Sequence, residues 1–213
     1  MAAPLPPWSD TVLRVVMIAA AALVLGAPSL CMGFVRTPAH LGMYQAPRQP
    51  VMFDHRHHVR DDGIDCRYCH YDAERSPHAG VPGAGLCMSC HAQIWNDSPL
   101  LEPVRRSAYG GEPLEWQRVH VLPDFVFFNH AAHVTRGVGC EYCHGRVDGM
   151  ARVAQVQPLD MDWCLHCHRD PAPHLRPPRL ATVMGYETSR REGERIAREL
   201  DIAPPTDCTG CHR

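Results

Sequence analysis

Hydrophobic and polar positions divide the chain into two unequal parts. Val15 to Val35, VVMIAAAALVLGAPSLCMGFV, is an uninterrupted charge-free run, and at 1.5 Å of helical rise per residue it is long enough to cross a hydrocarbon layer of about 30 Å. The apolar core of a cleaved export signal is usually about 7 to 15 residues. The run therefore predicts an uncleaved transmembrane anchor over 15–35, behind a short cytoplasmic segment over 1–14, with Cys31 an ordinary residue of the span. Arg14 precedes the run while Arg36 and Arg48 follow it, so flanking charge gives little indication of orientation. Beyond residue 35 neither helical nor strand periodicity is sustained. Pro38, Pro47 and Pro50 mark 36–52 as a semi-rigid linker, and 53–213 reads as short helices between loops. One polar helix stands out over 189–200, SRREGERIAREL. Ser189 and Glu192 form a capping box, Glu194 and Arg198 a pair one turn apart, and Ile196 and Leu200 a narrow seam that predicts a surface position.

Composition sharpens this reading. The chain has 213 residues, with 20 Pro, 16 Gly, 11 Cys and 15 His and a net charge of −2. The balance of charge gives no nucleic-acid-binding surface. Proline and glycine at this density break up long elements, so the body needs something besides a large apolar core to hold it together. Cysteine and histidine supply the candidate.

C-x-x-C-H occurs five times, as Cys66-Cys69-His70, Cys87-Cys90-His91, Cys140-Cys143-His144, Cys164-Cys167-His168 and Cys208-Cys211-His212. In a c-type site the two thiols add to the haem vinyl groups and the adjacent His becomes the proximal ligand of the iron. Zinc takes four ligands per site, and five Cys-Cys-His triplets do not divide simply into such sets. Disulfides would explain paired cysteines but not a histidine after every second one. The reading is five covalently bound haem c groups. Their attachment takes place on the outer face of the energised membrane, which puts the body in the periplasm and the anchor in the cytoplasmic membrane as a single pass.

The other ligands follow from an internal repeat. FDHRHHVRDDGIDCRYCH at 53–70 and FNHAAHVTRGVGCEYCH at 128–144 share F-x-H-x-x-H-V, a Gly-containing turn and C-x-Y-C-H, with one residue more in the first copy. Histidines at i and i+3 lie on one side of a helical turn and diverge slightly, so that they reach two neighbouring irons. His55, His58, His130 and His133 are therefore the expected distal ligands. His57 has Ala132 as its counterpart and is read as exposed. For the fifth iron the candidates are His120 and Met161, with Met150 weaker; a Met ligand would raise the potential of its haem.

Each repeat is followed by a second attachment motif. The periplasmic domain thus divides into a dihaem module over 53–96, a connector over 97–127, a second dihaem module over 128–170 and a tail over 171–213 carrying the fifth haem. The expected fold class is a mostly irregular and α-helical multihaem cytochrome c, class III-like, with few short helices and one N-terminal transmembrane helix. About 30 residues per haem cannot insulate the cofactors when an ordinary domain takes about 100 or more, so the haems lie close together and electron transfer follows from crowding. All five motifs keep their His, and no Ser-His-Asp set, phosphate loop or paired-carboxylate motif stands out, so no catalytic residue is assigned.

The single span, the two F-x-H-x-x-H-V elements, WQRVHVLPDFVFFNHAAHV, CHGRVDGM, LDMDWCLHCHR and the terminal CHR together resemble the pentahaem cytochrome subunit of alternative complex III, over nearly the whole chain. The resemblance implies a non-catalytic electron-transfer subunit of a quinol-oxidising membrane complex. Its partners there are an iron-sulfur subunit, polytopic quinol-binding membrane subunits and a monohaem cytochrome c. Electrons would leave through the five haems toward a soluble cytochrome c or a terminal oxidase. Two other classes stand beside it: a singly anchored quinol dehydrogenase cytochrome feeding a periplasmic reductase, and a stand-alone multihaem reductase with one open iron.

Overall fold

The structure, a computed structural model, describes residues 6–212. The first five residues of the predicted cytoplasmic segment, and Arg213, lie outside the described residues. The chain divides into two units, residues 1–43 and 44–213.

The first unit is dominated by α1 (Trp8–Val35), 28 residues long, none of them buried. Its most apolar stretch of 18 residues has a mean hydropathy of 2.3, and with the helix's length this suffices to cross a membrane. The helix begins seven residues before the charge-free run, because Asp10 and Arg14 stand one turn apart and pair at 2.9 Å. Such a pair favours the helical conformation without needing an apolar face.

The second unit contains seven short α-helices among the described residues: α2 (Cys66–Cys69), α3 (Ala84–His91), α4 (Glu102–Gly110), α5 (His130–Val134), α6 (Cys140–His144), α7 (Met161–Arg169) and α8 (Arg190–Glu199). Single 3₁₀ turns and one π turn, Arg56–Asp61, complete it. Among the described residues there is no sheet, only two isolated antiparallel bridges, Val126 with His212 and Val138 with Leu175. The fold is the mostly helical and irregular one expected.

For three of the five motifs the reason for a short helix is visible at its start. Asp65, Asp160 and Asp207 cap the turns that begin at Cys66, Met161 and Cys208, each accepting from a backbone N–H. The π turn has an equally local cause. One more residue separates His58 from Cys66 than separates His133 from Cys140, and a helix absorbs a single extra residue by widening one turn. The first copy is therefore a π turn where the second is the α-helical α5.

Few side chains are buried. Ala84, Met88, Leu101 and Val104 form one cluster between α3 and α4, while Leu175, Ala181, Ala172 and Ile196 are buried in the C-terminal part. That part is tied to α6 through Arg176. Its guanidinium binds Glu141 at 2.7 Å and the Val183 carbonyl at 2.8 Å, while its backbone N–H bonds to the Gly137 carbonyl at 2.8 Å. Gly137, at φ 86°, has no room for a side chain, because an added Cβ would meet the Arg176 carbonyl oxygen at 2.1 Å.

Helix α8 corrects the sequence reading. Ser189 caps it as expected, accepting from Glu192 N–H at 3.2 Å. The Glu192 carboxylate, however, accepts from the Tyr186 hydroxyl at 2.9 Å, and the intrahelical pair is Arg195–Glu199 at 2.6 Å. The helix also packs closely rather than lying loosely on the surface, with Gly193 and Ile196 buried against Ala172–His174. A Cβ on Gly193 would stand 1.7 Å from the Ala172 carbonyl oxygen. Gly193→Ala is accordingly expected to cost about 1–3 kcal/mol of stability, seen as a lowered midpoint in thermal unfolding of the haem-loaded protein; an unchanged midpoint would show that this approach does not hold the tail in place.

Candidate functional site

The histidines of three of the five motifs face histidines of the two repeats as opposed rings. His58 faces His91 with centroids 6.1 Å apart, His133 faces His168 at 6.1 Å, and His130 faces His144 at 6.3 Å with the planes only 8° from parallel. His55 lies close enough to His70 for that neighbouring imidazole to disfavour charge on His55. In the repeat it occupies the position that His130 occupies toward His144. The first His of each repeat thus stands with the attachment motif that follows at once, and the second His with the motif after that.

These separations have a chemical meaning. Two metal–imidazole bonds of about 2 Å, plus about 1 Å from each nitrogen to its ring centre, place opposed ring centres about 6 Å apart. The hydrogen bonds at the other ring nitrogen agree. Nδ1 of His58 meets the Asp54 carbonyl at 2.9 Å, that of His133 the Asn129 carbonyl at 2.8 Å and that of His130 the Pro77 carbonyl at 2.9 Å. Among the proximal residues, His70 meets Gly80 at 2.8 Å, His91 meets Ile94 at 3.0 Å and His168 meets Pro205 at 2.7 Å, again at backbone carbonyls. A carbonyl only accepts, so in each case Nδ1 carries the hydrogen and Nε2 keeps its lone pair for a metal.

Burial favours the neutral form of four of these imidazoles, as ligation requires. It drives His55 down to about 4 and His144 to about 3, with the neighbouring imidazoles adding to the effect, and it also lowers His130 and His133. Nδ1 of His55 is buried without a hydrogen-bond partner. Among the described residues no three His, Cys, Asp or Glu side chains gather as a cage for a single ion. The fit is to a planar group held between two imidazoles. Tyr68, within the first motif, and Phe125, whose ring lies 5.8 Å from that of His212, are exposed apolar surfaces suited to a large apolar cofactor.

Two aromatic residues of the repeat, not assigned a role from sequence, orient the distal pair. Phe53 stacks on His58 at 4.3 Å and meets His55 edge-on at 4.7 Å; Phe128 stacks on His133 at 4.7 Å and meets His130 edge-on at 4.8 Å. The near-identity of the two geometries is the physical content of the F in F-x-H-x-x-H.

The remaining candidates are dispersed. His57 is exposed and sits 3.8 Å from Asp61 and 3.6 Å from Asp62. His120 stands against His144, ring centres 4.3 Å apart, with its Nε2 3.3 Å from His144 Nδ1. Met161 is 65% exposed at the first position of α7. Met150 lies beside Gly145, just after the third motif. The ten motif cysteines are unpaired by disulfides, as is Cys31.

Comparison with known proteins agrees with this geometry. Residues 126–213 match the family described as cytochrome c7 and related cytochrome c. The menaquinone reductase multiheme cytochrome c subunit of Nitratidesulfovibrio vulgaris (strain Hildenborough) is 32% identical over 131 residues, 61% of this chain and 56% of that protein. The match therefore spans only about half the length of that relative. Residues 126–213 are thus similar to cytochrome c7-like cytochromes, and the relative that shares part of this chain's sequence is a multihaem c-type cytochrome.

The opposed rings make a direct prediction about coordination. His133→Ala is expected to turn one six-coordinate low-spin iron into one that binds carbon monoxide, whereas His57→Ala leaves the spectrum of the reduced protein unmoved by that gas. A carbon monoxide response in the second variant and not the first would assign the ligands the other way.

Proposed function

We propose that the chain is a membrane-anchored pentahaem electron-transfer subunit of a quinol:electron-acceptor oxidoreductase of the alternative complex III type. The observation that supports it most is the series of opposed imidazoles at 6.1 to 6.3 Å. Two imidazole ligands for one iron would leave no open position for a substrate, which favours electron transfer over catalysis. Covalent haem c, when attached, supplies an iron that takes up and gives back one electron. The protein's own residues do the rest. The ten motif cysteines tether, His70, His91, His144, His168 and His212 bind from the proximal side, and His55, His58, His130 and His133 from the distal side. Backbone carbonyls hold the tautomers of six of these imidazoles, those of His58, His70, His91, His130, His133 and His168.

For the fifth iron the proposal selects Met161. His120 already offers its Nε2 to His144 Nδ1, which makes it an orienting neighbour of that ligand. Met161 stands one helical turn ahead of Cys164, whose thiol lies near Cys211 of the fifth motif. Met161→His should lower the potential of one haem in a redox titration, and Met161→Ala should leave one iron reactive to carbon monoxide; unchanged potentials and no gas binding would return the role to His120.

Helix α1 anchors the subunit in the cytoplasmic membrane with the N-terminus inside and the haem domain in the periplasm. An iron-sulfur subunit, polytopic quinol-binding subunits and a monohaem cytochrome c complete the complex, which passes electrons to a soluble cytochrome c or a terminal oxidase. A second reading rests on the relative's activity: the N. vulgaris protein belongs to a menaquinone reductase, so the same subunit could deliver electrons to quinone rather than accept them from quinol.

Gentle detergent extraction, mass spectrometry of what co-purifies, and assay in both directions test the proposal. The expected result is an intact mass carrying five haems, iron-sulfur and polytopic partners, and quinol:cytochrome c activity. Quinone reduction alone would favour the second reading. Recovery of the chain by itself with a gas-reactive haem would overturn both.

A further inference from the structure

Consecutive attachment sites touch in an order that differs from their order in sequence. The second and first sites meet where the Tyr68 hydroxyl reaches Ser89 Oγ at 3.4 Å. The first and third meet where the Cys66 and Cys140 side chains lie together. The same junction is closed by Thr182 Oγ1 donating to Asp65 at 2.8 Å and by both the backbone N–H and the ring of His130 reaching the Pro77 carbonyl. The third and fourth meet where Tyr142 stacks on Trp163 at 5.0 Å and hydrogen-bonds Cys167. The fourth and fifth meet where His168 Nδ1 bonds to the Pro205 carbonyl, three residues ahead of Cys208.

From these contacts we propose that the five attachment sites form a single file in the order second, first, third, fourth, fifth, so that the first site and not the second joins the two modules. The inference rests on the reading of every motif as a haem attachment site. A thioether sulfur belongs to the edge of the haem it holds, so touching motif cysteines bring two haem edges together. The sulfur surroundings follow the same order. Cys69 lies near Cys87 and Cys90, Cys143 near Cys164 and Cys167, and Cys164 near Cys211. Of the ten motif cysteines, Cys90 and Cys208 are the exposed ones. They belong to the second and fifth sites, the two ends of the file.

Electron paramagnetic resonance of two haem-depleted variants decides the order, because neighbouring ferric haems broaden and relax each other's signals. Removing an end leaves the other haems coupled, whereas removing an interior member next to an end isolates that end. The double variant Cys66→Ala with Cys69→Ala should carry four haems by intact mass, one of them showing a narrow, slowly relaxing signal. The double variant Cys87→Ala with Cys90→Ala should carry four haems that all remain coupled. An isolated haem in the second variant would overturn the proposed order and restore the order of the sequence. Should the first variant fail to accumulate, the second still decides, since only its coupled spectrum is compatible with the file. A native protein carrying fewer than five haems by mass would instead overturn the attachment reading, which keeps the two failures distinct.

Discussion

The rest of this structure depends on imidazole rings that face each other in pairs, their centres 6.1 to 6.3 Å apart, the separation that one iron held between two nitrogens would require. The consequence reaches outward in steps. Each opposed ring needs its Nε2 free, so its Nδ1 must donate elsewhere, and loops that look irregular are placed to present a carbonyl: Pro77 to His130, Gly80 to His70, Pro205 to His168. The rings must also hold their tilt, which Phe53 and Phe128 do by stacking on one imidazole and meeting the other edge-on. Even the π turn at Arg56–Asp61 serves the same end, taking up an extra residue while leaving His58 opposite His91.

A chain organised around such pairs does not need a large core. Only nine apolar side chains are buried among the described residues, four of them in the cluster between α3 and α4. At about 1.5–3 kcal/mol for each large side chain buried, these cannot by themselves offset the ordering of a loop-rich body of this length. The proposed covalent attachment at ten cysteines and ligation by the histidines would supply the missing constraint. The proposed function follows from the same economy, because groups held rigidly between two ligands would exchange electrons without a substrate site.

Much of this was legible in the sequence. The C-x-x-C-H spacing identifies the attachment residues outright, and repetition, rather than residue type, separated His55, His58, His130 and His133 from the other histidines. What was not legible divides by physical cause. Hydrogen bonds to backbone carbonyls leave no trace in residue identity, so Gly80, Ile94 and Pro205 could not be picked out as partners. The close approach of α8 depends on the missing side chain of Gly193, which a reading of its apolar seam passes over. The role of Phe53 and Phe128 was written in the repeat but attributed to the histidines alone. The start of α1 at Trp8 escaped because Asp10 and Arg14 end an apolar run while supporting a helix.

The account's central claim is that opposed axial ligands close the irons of this protein, and the spin state of the oxidised, intact protein tests it most directly. Low-temperature electron paramagnetic resonance on membranes or gently extracted protein should show only low-spin ferric haem, with no high-spin signal approaching one per chain. A high-spin signal equal to one haem per chain would contradict the account, since it would mean an iron with an open axial position and a site at which the protein performs chemistry of its own.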